Sequence, residues 1–150
     1  MTMPDFKLLF TAVIFYALIA LTPGSAKVMA AAAPDSAGTG LDGLMYYTLG
    51  PSFVTNYDGA GRLKYLKTDI AVRIEPGTAP LLLTHLPYIR NRLVVLLAAQ
   101  LEENLTSTQG KEALRAQALA EVKAAMDLVV GTSAGNRIYD LYFTSFVVQR

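Results

Sequence analysis

The chain reads as an α+β domain of order β-β-α-α-β, a small sheet with helices on one face, preceded by an amino-terminal hydrophobic segment. Three observations predict this. Residues 62–74, "RLKYLKTDIAVRI", alternate apolar and polar side chains at period two. Residues 108–130 repeat apolar positions at helical spacing. The closing run "RIYDLYFTSFVVQ" is rich in β-branched and aromatic residues and carries no breaker.

The first segment decides where the domain goes. "LLFTAVIFYALIAL" is apolar except for Thr11, and its bulk comes from Leu8, Leu9, Phe10, Val13, Ile14, Phe15, Leu18, Ile19 and Leu21. Its 14 residues fall short of the roughly 20 that cross a bilayer core. Pro23 and Gly24 follow, and Gly24 with Ala26 fits the small-x-small pattern of a signal-peptidase site. Residues 1–26 are therefore a signal peptide or a short membrane anchor, with a buried core helix as the third reading. Lys7 and Lys27 flank the run on both sides, so positive charge does not orient it. Either of the first two readings exports residues 44–150.

Composition narrows the function classes. At 150 residues and 53% hydrophobic content there is core for one domain. A net charge of +1 leaves no electrostatic footprint for nucleic acid. The absence of cysteine removes a disulfide framework, a zinc-thiolate site and a lipidated cysteine, so packing must hold the domain.

Residues 27–43 are mostly Ala, Gly, Ser, Pro and Asp without periodicity and read as a flexible spacer. From Leu44 the pattern turns to β. "LMYYTL" is interrupted by Gly50-Pro51, and "SFVTNY" continues it to a turn at Asp58-Gly59. In the following strand Leu66, Ile70, Val72 and Ile74 share one face, and Tyr65, Lys67, Asp69 and Arg73 the other. A helix is predicted from about Ala79 to Leu101, with Pro87 either in the first turn of its main part or kinking it. Asn104 to Thr108 breaks it. Thr106 or Ser107 then caps a second helix, whose stripe is Leu114, Ala118, Val122, Ala125, Met126 and Val129. The last strand is apolar on both faces and is expected in the middle of the sheet.

Two catalytic-looking patterns fail on context. Gly38, Gly40 and Gly43 fit G-x-G-x-x-G, but a spacer precedes them and a strand follows, the wrong surroundings for a pyrophosphate cradle. Gly131, Ser133 and Gly135 fit the nucleophile elbow G-x-S-x-G, yet here a helix precedes and a strand follows, the reverse of what the chemistry needs. His85, the single histidine, has no metal-ligand spacing and reads as a hydrogen-bonded structural residue at a helix start. Asp69 and Asp140 are expected at solvated strand positions rather than as an acid/base pair. Arg62, Lys64 and Lys67 form a small basic cluster that reads as a solvated face or headgroup contact. No catalytic residue, cofactor or metal ligand is assigned.

Four blocks in order carry a family resemblance: "GPSFVTNYDGAGRLKYLKTDIAVRI", "LPYIRNRLVVLLAAQ", "GKEALRAQALAEV" and "DLYFTSFVVQ". Together they resemble the flagellar basal body-associated FliL family over roughly Leu49 to Gln149. The resemblance implies a stomatin/SPFH-like fold for residues 44–150 and no enzyme activity. It implies a single-pass inner-membrane protein with a periplasmic domain, a homo-oligomeric ring, and partnership with motor stator and basal body proteins that supports torque and motility. The short amino-terminal run departs from the family's longer anchor and leaves open a periplasmic protein released by cleavage. Ser52, between Pro51 and Phe53 where the family places proline directly before the aromatic, puts the local turn and register in question. A periplasmic SPFH-like scaffold or adaptor unrelated to flagella is the alternative, and a small periplasmic enzyme or ligand binder stands third.

The stretch "HLPYIRNRLVVLLAAQ" is apolar over more than half a helix circumference, more than one sheet face can cover. Leu86, Arg90, Val94, Val95 and Leu97 are accordingly the candidate assembly interface.

Overall fold

The computed structural model describes residues 42–57 and 64–150. The segment Leu8 to Leu21, most of the spacer, the Asp58-Gly59 turn and Arg62 lie outside the described residues. Four strands make one antiparallel sheet: β1 (Met45–Thr48), β2 (Phe53–Asn56), β3 (Tyr65–Ile74) and β4 (Ile138–Gln149). The strand with the clearest alternation, β3, is the middle one. Along one edge of it β1 and β2 lie end to end, pairing Met45 with Ile74 and Phe53 with Thr68. Along the other runs β4, from Tyr65–Gln149 to Ile74–Ile138.

Between β1 and β2 the four residues Leu49 to Ser52 stand opposite only Asp69 and Ile70, so the register slips by two. That slip is the structural answer to the Ser52 question. Extra backbone bulges out of the ladder at Gly50-Pro51, where proline has no N–H to contribute.

The expectation that β4 is central is corrected: among the described residues it pairs with β3 alone. Its apolar residues do two different jobs. Ile138 and Leu141 are fully buried in the core, and Phe143, Phe146 and Val148 pack partly against it. On the outer face Tyr139 and Val147 stay about half exposed, and the Tyr142 ring lies 5.9 Å from that of Tyr46. Tyrosine tolerates a wet face because its hydroxyl keeps a polar partner. Conversely β3 can be central and still alternate, since helices cover only one side of the sheet.

Three helices lie between β3 and β4: α1 (Ala79–Ala98), α2 (Glu102–Thr106) and α3 (Thr108–Val129). Pro80 sits in the first turn of α1, where a missing N–H costs nothing, and Pro87 falls inside it. The expected break at Asn104 is instead the short α2, which begins with Glu102 and Glu103 against the positive end of its dipole. Ser107 caps α3, its Oγ accepting from Gly110 N–H at 3.0 Å, as the sequence suggested. The helices bury Leu82, Ile89, Leu93, Leu97, Leu105, Leu114, Ala118, Val122, Ala125 and Met126 on the face formed by Leu66, Ile70, Val72 and Ile74. Thr68 shares that face, with its hydroxyl donated to the Ser145 carbonyl at 2.7 Å.

A 3₁₀ turn at Ala134–Arg137 joins α3 to β4. Just before it Ser133 has φ of +78°, a left-handed conformation that a side chain resists. Ser133→Gly is expected to raise stability by about 0.5 kcal/mol, the relieved strain outweighing glycine's extra unfolded-state freedom. A matched pair of thermal unfolding curves checks it.

Candidate interaction surfaces

The five residues assigned to an interface from sequence are not on one surface. Leu97 is fully buried, Leu86 packs partly against the core, and Arg90 turns toward the sheet. Val94 and Val95 do face outward, at 37% and 62% exposure. The structure extends them with Leu83 and Leu101, each more than half exposed, to make an apolar line along α1 and just past its end. Leu83 stands 11 residues, three helical turns, before Val94, a spacing legible in the sequence. Beside this line runs an open groove of about 370 Å³ lined by Asn91, Arg92, Val95, Leu96, Ala99 and Glu121. Arg92 and Glu121 bond across it at 2.7 Å.

By length and composition α1 could cross a membrane, but four of its residues are in the core it shares with the sheet. Arg90 adds a polar tie. Its Nη1 donates to the carbonyls of Leu49 and Pro51, Nη2 reaches that of Ser52 at 3.5 Å, and the guanidinium lies 4.1 Å from the Phe53 ring centroid. The carbonyls released by the β1–β2 slip are thus collected by one cation. Burial holds the Arg90 pKa below its ordinary value, and no carboxylate meets it among the described residues. A planar fork with several donors suits this task, and lysine does not.

A second polar cluster ties α3 to β4. Arg115 grips Glu112 through Nε and Nη2, with Nε–O distances of 3.0 and 2.9 Å, and gives Nη1 to Asp140 and to the Leu141 carbonyl. Burial pushes the Asp140 carboxyl up. The Leu141 N–H, the Tyr142 hydroxyl and Arg115 together pull it further down, so it ends below its ordinary value. A depressed folded-state pKa gives stability that is whole above the unfolded value and lost as pH falls through the folded one. The unfolding midpoints of the native protein and Asp140→Asn should therefore differ most above about pH 4 and converge below it.

The remaining sequence candidates do not meet. Asp69 pairs across the sheet with Ser145 and Asp140 with Arg73, four residues apart along β3, or about 13 Å. His85 sits in the second turn of α1, half-buried, with no hydrogen bond to another described residue. Helix precedes Ser133 and strand follows it, as read, and the backbone N–H of Gly135 donates to Asp127 at 2.8 Å. Of the basic cluster, Lys64 bonds Glu102 at 2.7 Å. Among the described residues no three His, Cys, Asp or Glu side chains are grouped to hold a metal ion.

What the fold does present is two helix-to-sheet ties and an exposed apolar line. A family model for the flagellar basal body-associated protein FliL matches residues 46–149, from β1 to the last residue of β4. The chain belongs to the FliL family. No individual curated protein matches it significantly. The family is a flagellar accessory one, associated with the basal body. Both ties and all of the sheet but Met45 fall inside the matched residues, so the FliL match covers nearly all of the described domain.

Proposed function

We propose that this FliL-family chain is a non-enzymatic accessory subunit of the flagellar motor that self-assembles beside the stator units and supports torque. Residues 1–26 hold it to the inner membrane or direct its export, and residues 44–150 act in the periplasm as a stomatin-like, ring-forming module. The observation that carries the reading is the family match over residues 46–149, which takes in every described strand and helix except the first residue of β1. The exposed line Leu83, Val94, Val95 and Leu101 supports it, because apolar side chains in such a row are what a neighbouring subunit covers.

Val95→Lys is the direct test. Val95 is 62% exposed, so a lysine there should leave the unfolding midpoint within the range of ordinary surface substitutions, about 0.5 kcal/mol. In native membranes the variant should run as a smaller species than the parent and lose co-purification with stator proteins, and cells carrying it should swim more slowly under viscous load. A folded variant that still assembles and supports swimming would remove α1 as the interface. Loss of folding would instead place Val95 in the core.

A further inference from the structure

The outward edge of β4 is closed at one point and open at another. Backbone register decides which groups face it. Leu49 N–H donates to the Ile70 carbonyl at 2.8 Å and Tyr57 N–H to that of Lys64 at 3.2 Å, so even-numbered residues of β3 turn their backbone groups toward β1 and β2. Odd-numbered ones turn to β4, making Tyr65–Gln149, Lys67–Val147, Asp69–Ser145, Ala71–Tyr142 and Arg73–Asp140 the bonded pairs. Leu141, Phe146 and Val148 lie between these pairs and aim N–H and C=O away from the sheet.

Side chains close the edge at Leu141. Its N–H donates to Asp140 Oδ1 at 2.8 Å, and its carbonyl accepts from Arg115 Nη1 at 3.3 Å. At Phe146 and Val148 no group among the described residues takes the outward N–H or C=O. An unpaired strand edge is a template for another strand, and proteins usually block it. Here the block stops short.

Charge says what the open part fits. Lys111, near the start of α3, holds its ammonium 5.4 Å from the Phe146 ring centroid and has no carboxylate partner among the described residues. Beyond the strand end, Arg150 is bonded to Glu102 at 2.9 Å and its side chain is 67% exposed. The nearby carboxylates of Glu112 and Asp140 are taken by Arg115. On the outer face Lys67 stands opposite Val147, and Asp69 opposite Ser145. Two copies joined through this edge would set Lys111 against Lys111, a like-charge contact that disfavours self-pairing. We infer that Phe146 and Val148 receive an added strand from another protein, an extended segment with a carboxylate side chain that meets Lys111. Two outward residues call for a segment of about five residues, roughly 17 Å long.

The test uses the full-length protein in detergent micelles with a probe strand appended after Arg150 through a Gly/Ser linker of about ten residues, which holds the strand near millimolar effective concentration. The strand alternates threonine and valine around a central glutamate, and its counterpart carries lysine at the centre. The glutamate strand should slow amide hydrogen exchange at Phe146 and Val148 by about ten-fold or more, and the lysine strand much less. Val148→Pro removes an outward N–H and no bond to β3, and should abolish the protection at Phe146. The comparison of the two strands needs no substitution in the domain, so a misfolded proline variant leaves the outcome decided. No protection from the glutamate strand, or equal protection from both, overturns the inference. So does protection without any strand that grows with protein concentration, which would assign the edge to a second copy.

Discussion

Gly110→Ala is expected to destabilise the domain by about 3 kcal/mol, more than an ordinary overpacked methyl, because the obstruction is backbone. A Cβ at Gly110 would lie 2.6 Å from the Asn104 Cα and 2.8 Å from its carbonyl carbon, and closer still to its carbonyl oxygen. Main chain cannot rotate aside as a side chain can. The α2–α3 corner would have to open, pulling Gly110 N–H from the Ser107 cap and lifting the fully buried Leu105 from the core. Urea unfolding of the full-length protein in detergent, followed by tyrosine near-ultraviolet dichroism, reads the change in midpoint. An unchanged midpoint would mean that the two helices do not approach this closely in solution.

Arg90→Met is expected to cost about 2–3 kcal/mol, the upper part of the range for a hydrogen bond to a charged group, because more than one such bond is lost. Methionine keeps much of the stem's packing but leaves the Leu49 and Pro51 carbonyls without their donor and the Phe53 ring without its cation. Arg90→Lys should recover only part of the loss, since one ammonium cannot span three carbonyls. Hydrogen exchange separates this from a general core defect: Leu49 and the β2 amides should open first, while β4 amides bonded to β3 keep their protection.

These two positions show what could be read from the chain and what could not. The strand at Tyr65–Ile74 and the two long helices follow from periodicity, because burial on one side leaves a repeating mark. Ser107 as a cap was legible because the capping chemistry is local. The close approach at Gly110 was not, because it depends on the angle between two helices. Apolar-stripe geometry alone puts Arg90 at an interface. Its true partners, at Leu49 and Pro51, are about 40 residues back in the chain and arise from a register slip that no local pattern records. For the same reason β4 looked central: apolar content marks contact with something, and cannot distinguish a core from a neighbouring tyrosine or a partner's strand. Arg115 lay inside a recognised block, but its pairing with Asp140 is set by how α3 crosses the sheet.

The place of β3 in the sheet also sets the order in which the domain comes into being. Its first neighbours, β1 and β2, precede it in the chain, whereas the partner for its other edge begins about 60 residues later. At translation rates of 5–20 residues per second, that edge of β3 stands unmatched for about 3 to 12 seconds after it emerges. Local contacts let the helices form in that interval, but the sheet they cover lacks a whole strand and the core cannot close. The last turn and strand therefore act as a latch on a nearly complete chain. If the chain is exported, as proposed above, this delay is an advantage, because a chain that cannot finish folding early remains threadable.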